Sequence, residues 1–218
     1  MELNGKKVNF LGDSITEGCF ASSAEHRYVD IFAAKTGALC RNYGISGSRI
    51  ARQQKPSENP RFDLDYCMRV LEMDKDADII VIFGGTNDYG HGDAPIGTMS
   101  DRTPDTFYGA LHTLYRSAIQ RYPAAKIVVL TPLHRLIEDD PYGDPRKEVP
   151  SLPLRDYVNI IREVAEYYAL PILDLYATSG FQPNVPALYE RYTSDGLHPN
   201  DAGHALLANM LIKFFEQM

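Results

Sequence analysis

The chain reads as an α/β protein, a three-layer α/β/α sandwich with a parallel five-stranded sheet between two layers of helix. Three observations predict it. Five short apolar runs alternate with amphipathic segments along the sequence, the rhythm of parallel strands joined by crossover helices. The first three runs each give way to a loop of glycine and small polar residues, as happens where ligands sit beyond the carboxyl ends of such strands. With 218 residues, 44% of them apolar, there is enough material for one sizeable core, and residues 1–218 are expected to form a single domain.

Val8–Leu11 is the first predicted strand, opening into Gly12-Asp13-Ser14-Ile15-Thr16. A helix over about Tyr28–Lys35 precedes a second strand around Ala38–Asn42 and the turn-rich Asn42-Tyr43-Gly44-Ile45-Ser46-Gly47-Ser48. A helix over Asp63–Asp74 leads to the strand Ile79–Phe83, which ends in Gly84-Gly85-Thr86-Asn87-Asp88. Asp105–Tyr122, Ile127–Leu130, Leu154–Tyr168 and Ile172–Leu175 continue the alternation, and a helix over Ala202–Gln217 closes it. Pro199-Asn200-Asp201 is a good start for that helix and places His198 just before its positive end. Tyr89–Pro104, Leu133–Pro153 and Ala177–Ser194 are too long for tight connections. They follow strands three, four and five, so they should rise on the ligand side and wall a substrate.

The strand ends carry chemistry. A serine hydroxyl is a poor nucleophile at neutral pH unless an imidazole takes its proton and a carboxylate orients that imidazole. Asp195-Gly196-Leu197-His198-Pro199 offers the second and third groups in one tight turn, and Ser14 offers the first. Asn87 has a side-chain amide for a developing oxyanion, and Gly47 a backbone N–H. Each piece has a plainer reading: Asp13, Ser14 and Thr16 are good helix caps, Asn87 suits an Asx turn, and many strands end in glycine-rich turns. Gly44-Ile45-Ser46-Gly47-Ser48 is also a near miss for a nucleophile elbow, lacking the final glycine.

In this order, each at a strand end, the four pieces resemble the SGNH hydrolases, also called the GDSL esterase/lipase family, over nearly the whole chain. The resemblance implies a flavodoxin-like strand order, 2-1-3-4-5. It implies Ser14 as nucleophile, Asp195 and His198 as acid and base, and an oxyanion hole made by the Ser14 and Gly47 N–H groups with Asn87. Gly44 is the alternative to Gly47. Residue 15 is isoleucine where the family name has leucine, a same-volume change that should leave the nucleophile undisturbed. The expected activity is a serine esterase acting through an acyl-enzyme at Ser14. Tyrosine and charge in the long segments lean the substrate toward a short acyl group on a polar carrier such as a carbohydrate. Lysophospholipase and thioesterase are alternatives within the family. A non-catalytic nucleotide- or carbohydrate-binding protein is the alternative outside it, although Asp13 and Glu17 would repel a phosphate. Asp13, Tyr89, His134 and Arg135 are the candidate substrate contacts, with Arg146 a further cation in the same segments.

The resemblance implies a small-molecule ester as partner, and composition argues against other kinds. The net charge is −7, from 22 basic and 29 acidic residues, and scattered basic pairs argue against nucleic acid. Cys19, Cys40 and Cys67 are odd in number and lack metal-ligand spacing, so no disulfide framework or zinc site is expected. His91 has no companion ligands at helical spacing. No metal or organic cofactor is expected, because side chains and water complete the chemistry. The first residues lack an apolar signal region, and no run approaches membrane-spanning length. The expected setting is therefore the cytoplasm without membrane insertion; oligomeric state is not legible.

Overall fold

The computed structural model describes residues 1–144, 147 and 150–218. Five parallel strands form one sheet in the order β2-β1-β3-β4-β5: β1 (Lys7–Gly12), β2 (Leu39–Gly44), β3 (Ile79–Phe83), β4 (Lys126–Leu130) and β5 (Ile172–Leu173). This is the expected sandwich and strand order. β1 and β3 are almost wholly buried, as strands covered by helices on both faces must be, whereas the edge strand β2 is half-exposed.

Side chains alternate across the sheet. Val8, Phe10, Val81 and Val128 face one layer, packed with Phe32, Leu207, Leu211 and Phe215 from α2 (Tyr28–Thr36) and α9 (Asp201–Glu216). Leu11, Ile80, Ile82 and Val129 face the other, packed with Val70, Leu111 and Ile161 from α3 (Tyr66–Glu72), α5 (Phe107–Arg121) and α6 (Leu154–Tyr167). Burying each such side chain contributes roughly 1.5–3 kcal/mol before the entropy cost of ordering it.

The register decides where the loops meet. Gly12 pairs with Gly44 on one side and Phe83 on the other, Phe83 with Leu130, and Leu130 with Leu173. All five strands thus end flush at one edge, and the loops after β1, β2 and β3 open side by side.

Several boundaries differ from the sequence reading. The helix expected from Asp63 begins at Tyr66, because Pro60–Asp63 forms a separate 3₁₀ turn and the Asp65 carboxylate caps the Met68 N–H at 2.9 Å. The last strand stops at Leu173, because Asp174 caps α7 (Leu175–Thr178) through the Ala177 N–H. The long segments contain helices of their own, α4 (Thr86–His91) and α8 (Pro186–Tyr192). Ser14–Glu17 forms one turn, α1. Among the described residues no helix is long and apolar enough to cross a membrane.

Candidate active site

β1 delivers the chain to the flush edge at Gly12, where it turns through Asp13. The Asp13 carboxylate accepts the Ile15 N–H at 3.0 Å, starting α1 with Ser14 in its first position, so no helical carbonyl takes up the Ser14 N–H. The Ser14 Oγ lies 2.9 Å from His198 Nε2, and His198 Nδ1 lies 2.6 Å from Asp195 Oδ2. An ionised carboxylate only accepts, so Nδ1 bears the ring proton and Nε2 presents a lone pair to the serine hydroxyl. Burial pushes the Asp195 carboxyl up, but the His198 ring and the N–H groups of His198 and Leu197 outweigh it and hold the group at about 2.

The turn carrying both groups is fastened at each end. Thr193 and Pro199 form an antiparallel bridge across its base, the Thr193 hydroxyl accepts the Gly196 N–H at 3.0 Å, and the Leu136 N–H donates to the Gly196 carbonyl at 2.8 Å. Gly196 has φ +77°, and a Cβ there would stand 2.7 Å from that of Leu136. Only glycine satisfies both the conformation and the space.

The expected oxyanion donors are the N–H groups of Ser14 and Gly47 and the amide of Asn87. Of the two candidate glycines in the second loop, Gly44 donates its N–H to Asn42 Oδ1 at 2.8 Å. Among the described residues the Gly47 N–H has no backbone acceptor. Asn87 stands in the first turn of α4, its Nδ2 donating to the Ser48 carbonyl at 3.0 Å. Next to it, the buried Asp88 carboxylate accepts the N–H groups of Ile50 and Ala51, both at 2.9 Å, tying the second loop to the third.

The sequence profile of the GDSL-like Lipase/Acylhydrolase family matches residues 10–206. The chain belongs to that family. A curated relative, the GDSL lipase Rv0518 of Mycobacterium tuberculosis, is 27% identical over 210 residues, which are 94% of this chain and 79% of the relative. A crystal structure from Lactobacillus plantarum is 32% identical, with a TM-score of 0.84 and coverage of 99% of this chain and 98% of that one. A member of the lipolytic G-D-S-L family from Veillonella parvula shares the fold at 18% identity, TM-score 0.58, covering 97% of this chain and 99% of that one. The protein is thus an acyl hydrolase of the SGNH type.

Three of the four expected substrate contacts of the GDSL hydrolase, Asp13, Tyr89 and Arg135, are buried. Tyr89 is fully buried in the core, and its hydroxyl donates to the carbonyls of Ile137 and Asp140. Arg135 is buried, donating to Thr86 with its guanidinium 5.3 Å from the Tyr89 ring; both residues brace the loop after β4 instead of facing substrate. His134 pairs with Glu138 at 2.8 Å and stacks on Tyr176. Asp13 is buried beneath Ser14 as its helix cap. Arg146 lies outside the described residues.

Three contributors escaped the sequence reading. The Phe20 ring stacks on His198 at 5.2 Å and 8° from a left-handed backbone, φ +67°. Arg69 reaches from α3 to the Gly12 carbonyl at 3.0 Å, the Ser48 hydroxyl at 2.7 Å and the Tyr43 carbonyl. A lone arginine in the apolar Tyr66-Cys67-Met68-Arg69-Val70 was the available signal for it; Phe20 left none. Phe62 packs on Gly47 and borders a cavity of about 1110 Å³ formed by residues 53–59, 92–96 and 150–152 with Arg49, His91 and Lys147. The segment 53–59 was not among the expected walls, and 177–194, which was, lies apart from this cavity. Within 177–194 the Tyr189 hydroxyl donates to the Ser194 carbonyl at 2.8 Å, and Thr193 fastens the Asp195–His198 turn through the Gly196 N–H.

Proposed function

We propose that the protein is a serine esterase that removes short acyl groups from a polar carrier such as a carbohydrate, through an acyl-enzyme at Ser14. The observation that carries this reading is the hydrogen-bonded line from Ser14 Oγ to His198 Nε2 at 2.9 Å and from His198 Nδ1 to Asp195 at 2.6 Å. Ser14 Oγ attacks the ester carbonyl as its proton passes to His198 Nε2, and Asp195 stabilises the imidazolium. The tetrahedral oxyanion is held by the Ser14 and Gly47 N–H groups and the Asn87 amide. As the intermediate collapses, His198 returns the proton to the departing alcohol. A water, deprotonated by the same nitrogen, then releases the acid and restores Ser14.

The wall of the cavity carries Gln53, Gln54, Ser57 and Asn59 alongside the apolar Phe62, Pro95, Ile96 and Leu152, and the hydrogen-bonding groups among them favour a polar carrier over a long acyl chain, which would need a continuous apolar lining. The test compares wild type and Ser14→Ala on nitrophenyl esters from acetyl to decanoyl and on an acetylated sugar. Ser14→Ala should fold normally and lose turnover; retention of most activity sinks the nucleophile. A strong preference for decanoyl would overturn the short-acyl reading and point to a lysophospholipase.

A further inference from the structure

We propose that His91 is a positioning residue for the oxyanion donor Asn87, acting through a tautomer that Arg49 imposes; this rests on the esterase reading above. Asn87 and His91 are four residues apart on α4, so their side chains share a face. His91 Nδ1 lies 2.7 Å from Arg49 Nη2 and 3.1 Å from Arg49 Nε. A guanidinium has no acceptor and keeps its protons, so Nδ1 must accept and the ring proton must sit on Nε2. That nitrogen is 3.2 Å from Asn87 Oδ1 and therefore donates to it.

The Asn87 amide is thus held from both ends by groups of fixed polarity. Its oxygen meets a ring N–H, and its nitrogen meets the Ser48 carbonyl at 3.0 Å. A flipped amide would set N–H against N–H and carbonyl against carbonyl, leaving buried groups unsatisfied. Held this way, Asn87 keeps its second Nδ2 hydrogen for the oxyanion. All three side chains are buried, with Arg49 6%, Asn87 6% and His91 7% exposed, and hydrogen bonds in such a chain strengthen one another. Arg49 is itself anchored, donating to the Ser57 hydroxyl at 2.8 Å and the His91 carbonyl at 3.1 Å, with the Asp63 carboxylate 3.5 Å away. The Phe62 ring lies against His91, centroids 5.3 Å apart, and against Gly47, so one ring backs the donor Gly47 and the residue that positions Asn87.

The test uses two amides at position 91. His91→Asn ends where Nδ1 stood, so it still satisfies Arg49 but falls short of Asn87; His91→Gln extends a donor to where Nε2 stood. On nitrophenyl acetate His91→Asn should lower kcat at least about tenfold with KM close to wild type, short of the ~10²–10³ expected on removing the donor with Asn87→Ala. His91→Gln should recover most of that loss, and His91→Asn should add no further loss in an Asn87→Ala background. Wild-type kcat in His91→Asn, equal losses in the two amide variants, or a full further loss in the double variant would overturn the proposal. Nitrogen-15 NMR of the wild-type ring needs no variant to fold: it should show Nε2 protonated and Nδ1 bare, and the opposite tautomer overturns the proposal outright. Ser14→Ala, measured alongside, separates the two readings, since turnover surviving in that variant counts against the nucleophile and not against His91.

Discussion

Burial drives the Asp13 carboxyl up from 3.8 to about 6, against the pull of the Ile15 N–H and of the charges on His198 and Arg69. An acid whose pKa is raised by folding holds more protons folded than unfolded between those two values, so stability falls as pH rises through that window and the loss is complete above about 6. Asp13→Asn removes the charge while its side-chain oxygen still accepts the Ile15 N–H. The variant should gain up to about 3 kcal/mol over wild type at pH 8 and less at pH 5. Urea unfolding at the two pH values measures this, and an equal gain at both would refute it. Asp195 has the opposite sign: held at about 2, it stays ionised wherever the imidazole works, so the acid limb of activity should not follow its titration. These residues also mark what local sequence can say. Ser14, Asn87, Asp195 and His198 announce themselves because each stands in a short stretch whose neighbours share its task. Tyr89 and Arg135 misled, because tyrosine and arginine in a loop look alike whether they face solvent or are buried against Thr86 and the carbonyls of residues 137 and 140.

At the level of elements, the catalytic turn depends on Gly196. Any side chain there meets both a left-handed backbone and Leu136, a strain of about 1–3 kcal/mol for the conformation alone. Gly196→Ala should therefore lower the melting temperature and also kcat, because relief of the clash displaces the Asp195–His198 pair relative to Ser14. A variant that melts earlier yet keeps wild-type kcat would show the turn to be insensitive to its apex. Strands and helices of the sandwich were legible to within a few residues, since periodicity is local. The errors fell where a cap outranked the pattern, at Asp65 and Asp174, and where segments read as open loops folded into the short helices α4 and α8.

Over the whole molecule, Arg69 joins what the sheet brings together. One buried guanidinium meets the carbonyl ends of β1 and β2 and the hydroxyl of Ser48. Arg69→Met should cost roughly 1–3 kcal/mol for each buried acceptor left unsatisfied and lower the urea midpoint. Arg69→Lys should rescue little, since a point charge cannot span three acceptors as a planar fork does; full recovery by lysine would reduce Arg69 to a generic cation. The sequence by itself determined the alternation of strand and helix, the family, and the identity of the groups at the strand ends, because these are properties of short stretches and their order. Only the tertiary structure decided that Ser14 meets His198 across 184 positions, that Gly44 spends its N–H on the Asn42 side chain, and that Arg49 and His91 stand behind Asn87. The physical reason is that burial, hydrogen-bond partner and tautomer belong to pairs of groups distant along the chain. The flush register of the strands, more than any one segment, brings those pairs within reach.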